Sequence, residues 1–299
     1  MNPGVLTGGY QPPPMPYGLL GRPTPVPMPN NYLHPETQDW ASRVRTAGGD
    51  VSAYTVFAVN RFVLAVYAAG IRDKLLRVNL FAGSSDSRLV AVRTPLFRGQ
   101  SMDGAQYGNS LDTNFNFVAG DYEEAGPSGG LRGNGSTKYL ATGFAANLLT
   151  VGDRHISAYV RAIASGNFSA SLGSSDFGGS FWLRRRFGND QFAFDAGAGG
   201  IDQNAVDVGF LMGVNSGAGA GVLYRNGNAI SSATGQTIAT ASSAPIHIFA
   251  RSTGTGGQAT DLSSARLGGY SIGSALTRSQ AIAYSVAMQE FQAAMRRQV

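Results

Sequence analysis

The stretch Val222-Leu223-Tyr224-Arg225-Asn226-Gly227-Asn228-Ala229-Ile230-Ser231 decides how this chain is read. An apolar run leads into an Asn-Gly pair, and a type I′ turn needs positive φ at both of its central residues, which that pair accepts most readily. A β-hairpin is therefore predicted, with strands at 221–224 and 228–231. Outward from it, short apolar alternations separated by Gly, Asn, Ser and Asp recur from about Leu111 onward, the pattern a two-sheet sandwich or jelly roll requires. The other predicted strands are 137–142, 155–162, 168–172, 180–187, 191–196, 206–215, 246–251 and 265–272, with a further turn at Gly188-Asn189-Asp190.

The flanks of this β region read as helix. Thr37 or Asp39 is expected to cap a short helix through Trp40 to Thr46, ended by Gly48 and Gly49. Asp50 or Ser52 then caps a second helix to about Ala69, with Val56, Val59, Phe62, Val63, Val66 and Tyr67 forming one broad buried face. Ile71 to Asn79 is predicted as another short helix, and Leu89 to Val92 as a β-like stretch. At the far end, Thr277 and Gln280 form a capping-box pattern ahead of an apolar stripe of Tyr284, Met288, Phe291 and Met295. Arg296 and Arg297 are expected at the negative end of that helix dipole. The organisation read from this pattern is an arm at 1–35, a helical section and linker at 36–110, and a β-sandwich with a C-terminal helix at 111–299.

Composition removes whole classes of chemistry. In 299 residues the hydrophobic share is 43%, the charged share 14% and the mean hydropathy -0.07, too apolar for a disordered chain and too poor in Lys and Glu for ordinary helical surfaces. With no cysteine there is no disulfide scaffold, thiolate zinc site, iron–sulfur cluster or thiol nucleophile. Glutamate occurs only at 36, 123, 124 and 290, and no strand carries the alternate carboxylates that a sandwich glycosidase needs. The three histidines, 34, 155 and 247, are isolated, which favours packing over metal binding.

Glycine-rich and polar loops fare no better as catalytic motifs. Gly130 to Lys138 lacks P-loop order and Gly217 to Gly221 lacks dinucleotide spacing, so both read as loops. Asp112 to Asn116 starts like a calcium loop, but Phe117 stands where the turn needs Gly and no Glu follows at the twelfth position; a calcium site of another design stays open. The chain is accordingly expected to be non-enzymatic and to carry no cofactor. Its net charge of +5 is not gathered into a basic run, so nucleic acid is not an expected partner. No secretory signal opens the sequence, and the apolar window Val51 to Gly70 has Asn60 and Arg61 at its centre, so it reads as a buried helix and no membrane is expected.

Two features suggest contact. Trp182, Arg184 and Arg186 share one face of a predicted strand, suited either to stacking on a sugar or an acidic partner, or to a solvated sheet face or subunit contact. The other is the arm, where ten of the thirteen prolines fall within residues 1–35. Proline removes backbone donors and biases its neighbour towards extended chain, so regular helix or sheet is excluded there. Yet Tyr10, Tyr17, Leu19, Leu20, Val26, Met28 and Tyr32 are apolar anchors that a solvating linker would lack. The arm is therefore expected to dock against a partner, with packing on its own domain as the alternative.

Four segments, LRGNGSTKYLATGF (131–144), HISAYVRA (155–162), VLYRNGNAIS (222–231) and ARLGGYSIGSALTRSQAIAYSVAMQEFQ (265–292), together resemble the concanavalin A-like, laminin-G-like jelly roll. With DWASRVRTAGG (39–49), AAGIRDKLLRVNLFAG (68–83) and DTNFNFVAGDYEEAGPSGGL (112–131), the chain is similar to structural proteins of tailed bacteriophages over residues 38–299. The resemblance implies a mainly β, antiparallel jelly-roll sandwich and a virion component. In that reading the jelly roll is displayed on the particle, as head decoration or head fibre before tail component. The arm anchors it to other virion proteins, and the protein forms a homo-oligomer. An alternative is a carbohydrate-binding adhesin or receptor-binding tail module that takes a host glycan, with Trp182 or Tyr107 as sugar platform. No sugar- or calcium-binding residue is carried over by the resemblance.

Overall fold

The computed structural model describes residues 33–163, 169–176, 179–186, 191–195, 200–204, 208–217, 219–234, 242–254 and 256–299. The anchors of the arm, Tyr10 to Tyr32, and the turn at 188–190 lie outside the described residues.

The helices form where local chemistry favours them. Helix α1 (Pro35–Thr46) begins earlier than the sequence predicts: His34, not Thr37 or Asp39, is the cap, its Nδ1 accepting from the Glu36 amide at 3.3 Å. Pro35 supplies the preset φ of a first helical residue. Helix α2 (Ala53–Ala68) is capped by Ser52 and followed by Gly70 at φ 62, as its sequence predicts. Tyr67, expected on its buried face, is instead exposed. The C-terminal helix α4 (Arg278–Ala294) opens with the Thr277–Gln280 capping box and buries Tyr284, Met288, Phe291 and Met295. Arg297 does not sit at the helix end in solvent. It is fully buried and donates to the carbonyls of Phe81 and Leu80.

Two segments depart from expectation. Arg72 to Lys74 is a 3₁₀ turn, after which β1 (Leu75–Asn79) is a strand and not a helix, because it pairs antiparallel with the last strand of the sandwich. Val90 to Arg93, predicted β-like, is the one-turn helix α3. The Asp86 carboxylate there accepts from the Val90 and Arg88 amides, a local cap that outweighs β-propensity.

The sandwich consists of two sheets, with strands numbered in chain order. The first runs β13 (Asn228–Ala233), β12 (Gly221–Arg225), β11 (Gly209–Ser216), β6 (Asp153–Ala162), β17 (Arg266–Gly273), β4 (Gly130–Arg132) and β3 (Tyr122–Glu123), with β1 also on β17. The second runs β10 (Gly200–Asn204), β9 (Gln191–Asp195), β8 (Gly179–Arg186), β7 (Ser169–Asp176), β14 (Pro245–Ile248), β5 (Tyr139–Ala145) and β2 (Thr113–Phe115). A small hairpin of β15 (Arg251–Thr253) and β16 (Gln258–Thr260) joins it alongside β7. Pairing is antiparallel except between β15 and β7. The hairpin read from Asn226-Gly227 forms, with φ of 49 and 83 at the two residues.

Burial distinguishes the two sheets. Between them lies one core, including Leu140, Phe144, Ile156, Leu172, Leu183, Leu211 and Ile248. The opposite face of the first sheet, with Tyr159, Phe210, Met212 and Tyr224, packs under α1, α2 and α4 in a second core. Strand β6 is consequently buried over nearly its whole length, whereas β5 alternates buried and open positions. Among the described residues, no helix covers the outer face of the second sheet.

A buried polar network joins β1 to the sandwich. Arg77 and Asp112 are both fully buried and meet at 2.6 Å. The Arg77 guanidinium also donates to Tyr270 Oη and to the carbonyls of Tyr107 and Asn109. Asp112 accepts in addition from Asn79 and Tyr270 at 2.9 Å. Burial opposes the charge on Arg77, but Tyr270 and Asp112 more than offset this and raise its pKa. Asp112 is thus spent on Arg77 and not on a calcium ion. Asp112→Ala strands the guanidinium in the interior and is expected to cost about 3–5 kcal/mol, measured by denaturant unfolding; a loss below about 1 kcal/mol would contradict this role for the pair.

Candidate functional site

The outer face of the second sheet carries a row of rings. Thr113 of β2, Ala141 of β5, His247 of β14, Gly173 of β7 and Trp182 of β8 are successive cross-strand partners, so they share that face. One step along, Phe115 pairs with Tyr139, and their rings stack at 4.2 Å with an interplanar angle of 6°. Tyr139 in turn contacts the His247 ring at 4.8 Å. The row therefore extends from the edge strand β2 towards the middle of the sheet.

Its two ends differ in exposure. At the inner end Trp182 is buried between two guanidinium groups, Arg184 at 4.2 Å and Arg251 at 4.4 Å from the ring centroid. Arg251 is held by Asp261 at 2.7 Å. Gly173 makes the close strand approach feasible, since a Cβ there would lie 2.2 Å from Trp182 Cβ. The β15–β16 turn rests over the middle of the row: a Cβ on Gly257 would stand 3.1 Å from Pro245 and 3.9 Å from His247 Nε2.

At the outer end Phe115 is exposed and Tyr139 half-buried. Two polar loops flank them. Asn116, at φ 64, donates to the Thr137 carbonyl, and Asn134 Oδ1 accepts from the amides of Ser136, Thr137 and Lys138. Lys138 Nζ closes the pair of loops on Asp121 at 2.5 Å. This end offers an open aromatic surface bordered by amide, hydroxyl, ammonium and carboxylate groups on rigid turns, the mixture that fixes a polyhydroxylated ligand with an apolar face.

Of the residues singled out by sequence, Trp182 and Arg184 share this face but are buried, and the side chain of Arg186 lies outside the described residues. Tyr107 sits elsewhere, half-buried and edge-on to Phe144 at 5.4 Å. Phe115 was missed because β2 is three residues long and its Asp-Thr-Asn context resembles a cation loop; the alternation of Thr113 and Phe115 was the available signal. Among the described residues no three His, Asp or Glu side chains gather as a metal site needs, and no helix is long and apolar enough to cross a membrane.

No family model matches the chain, and no curated protein matches it either. Among solved structures it is similar to a botulinum neurotoxin serotype D binding domain, with 12% identity and a TM-score of 0.47, covering 71% of this chain and 51% of that one. It is also similar to botulinum neurotoxin type C, whose cell entry depends on two ganglioside molecules, at 11% identity and TM-score 0.39, over 52% and 42% of the two chains. A Trypanosoma rangeli sialidase matches at 11% identity and TM-score 0.43, over 77% and 39%. The chain thus spans about half the length of these structures, or less. Likeness of this degree is one of shape, and the functional reading rests on this chain's own residues.

Two buried histidines make stability depend on pH. His155 places Nδ1 2.6 Å from the Ser274 carbonyl, which can only accept, so that nitrogen carries the proton and Nε2 accepts from Ser271 at 3.0 Å. The ring is thereby satisfied in its neutral form. Burial lowers the pKa of His155 and of His247 to about 4. Below the ordinary value near 6.5 the unfolded chain takes up protons that the folded chain refuses, so stability falls as pH drops from about 6.5 to about 4. The slope is about 1.4 kcal/mol per pH unit for each ring. His247→Phe, which keeps the contact to Tyr139, is expected to remove one ring's share of that slope in denaturant unfolding between pH 7.5 and pH 5; an unchanged slope would refute the assignment.

Proposed function

We propose that this protein is a non-catalytic glycan-recognition module whose binding surface is the open end of the aromatic row, with Phe115 and Tyr139 as platform. The observation that carries the reading is the parallel Phe115–Tyr139 stack at the sheet edge, with Phe115 exposed on a half-buried Tyr139 between two loops of fixed polar groups. An aromatic face covers the apolar C–H side of a sugar ring while neighbouring amides and charges bond its hydroxyls. Among the described side chains, Asp121 is committed to Lys138, Asp112 to Arg77 and Asp261 to Arg251, which supports binding over hydrolysis.

A second reading concerns where such a module is carried. The helical layer covers the first sheet, so it and the aromatic edge lie on opposite sides of the sandwich. Leu33, where the arm meets the body, packs on the helical side. An anchored side and a displayed side suit a phage virion component, as head decoration or fibre, held by the arm through Tyr10, Tyr17, Leu19, Leu20, Val26, Met28 and Tyr32 to other virion proteins. Particles assembled with a chain lacking residues 1–32 are expected to lose it; wild-type occupancy would refute arm anchoring.

The glycan reading is tested on an array with the full chain. Binding to at least one glycan class is expected, with Phe115→Ala and Tyr139→Ala each weakening it tenfold or more, about 1.4 kcal/mol. No binding above background, or binding unmoved by both substitutions, would overturn it.

A further inference from the structure

A charged hollow beside α1 is used by neither the glycan reading nor the attachment reading. Glu36, Asp39 and Arg43 follow one another at three- and four-residue spacing, so α1 presents them on one face. Arg72, from the 3₁₀ turn ahead of β1, and Arg98, from the chain that leaves α3, meet that face around a hollow of about 30 Å³. Ser101, Met102 and Gln106, all exposed, complete its lining. Such a volume admits about two water-sized groups, the size of the two oxygens of one carboxylate.

The walls of the hollow are fixed. Arg43 donates through Nη1 and Nη2 to the carbonyls of Pro95 and Leu96 at 2.8 and 3.0 Å, and Arg72 Nη1 donates to the Gly99 carbonyl at 2.8 Å. The Arg72 guanidinium also lies 3.9 Å over the Phe97 ring. Phe97 bridges to Val78 of β1, and the Arg98 carbonyl accepts from the Tyr107 amide at 2.6 Å. The backbone is thereby clamped on both sides of Arg98, and a ligand there meets groups already in place.

Charge in the hollow does not balance. Both Glu36 oxygens accept from Arg72 Nε, at 2.8 and 2.7 Å, and Asp39 accepts from Arg43 Nε at 2.7 Å. Two carboxylates answer two guanidiniums, and the third is left over. Among the described residues the half-buried Arg98 side chain has no hydrogen bond or ion pair. Burial and the Arg43 guanidinium lower its pKa, and Asp39 opposes them only in part. The chain's own arm does not supply the missing anion, since residues 1–32 contain neither Asp nor Glu. A guanidinium fork is best matched by a planar anion that accepts two parallel N–H bonds. One surplus positive charge calls for a monoanion, and Glu36 and Asp39 repel any second negative charge.

We propose that this hollow binds the carboxylate group of a small organic acid, with Arg98 as the principal binding residue and the Ser101 hydroxyl as a further donor. The hollow takes the carboxylate alone, and the rest of the ligand extends past Met102. No residue of the aromatic row lines it, so the inference is independent of the glycan reading.

The test uses the full chain and sodium acetate as probe, at pH 6.5 and constant ionic strength held with sodium chloride. Binding is followed by saturation transfer from the protein to the acetate methyl protons. Saturable binding is expected, with a Kd of about 10 mM or tighter. Arg98→Gln is expected to weaken it about tenfold, and Arg98→Lys, which keeps the charge and loses the fork, by less. Because the Arg98 side chain holds nothing else in place, both variants are expected to keep the wild-type unfolding midpoint. Sodium formate is expected to displace acetate at a concentration about fivefold below that of inorganic phosphate. Absence of saturable transfer, equal binding by a folded Arg98→Gln variant, or displacement by phosphate as effective as by formate would each overturn the proposal.

Discussion

The structure depends on a sheet that is buried on both faces. Strand β6 has almost no open position, with the sandwich core on one side and the helices on the other. That arrangement requires the helical section to be fixed firmly to the β region, and β1 does this by adding to β17, with Arg77, Asn79, Asp112 and Tyr270 bonded beneath it. A charge pair in such a place contributes little net stability compared with apolar packing, but misplacing either partner is expensive. Its effect is to define one register: a slip of β1 by a single residue would turn Arg77 away from Asp112.

Fixing the first sheet in this way leaves the second with a free face, and that face is managed in two ways. Over its middle the β15–β16 turn covers His247, while Arg184 and Arg251 enclose Trp182, so large rings are shielded without a helix. At the β2 edge the described residues supply no such cover, and Phe115 rests openly on Tyr139. Both loops beside it are stiffened by internal hydrogen bonds, Asn134 alone satisfying three successive amides. A surface rigid in its polar groups and open in its aromatic ones loses little entropy on binding.

Reading the sequence reached the elements whose signals are local. The capping box at Thr277, the Ser52 cap and the Asn226-Gly227 turn each require only a few neighbouring residues, and all three form. β1 was not readable because Leu75 to Asn79 is strand only through its partner β17, nearly two hundred residues away. Strands β2, β3 and β4 are too short for alternation to register. The aromatic row is legible only once register is known, since Phe115, Tyr139, His247 and Trp182 come from four distant segments. Trp182, the residue most conspicuous in sequence, proved to be enclosed, while the open platform is built from rings that attract no notice singly.

The two faces impose different demands, and the fold separates them. A recognition surface gains from standing clear of its support, because a support that covered Phe115 would compete with the ligand. An attachment surface gains from apolar area, which on the aromatic side would invite self-association through the same rings. Placing the apolar excess on α2 and α4, across a doubly buried sheet, keeps each contact from interfering with the other.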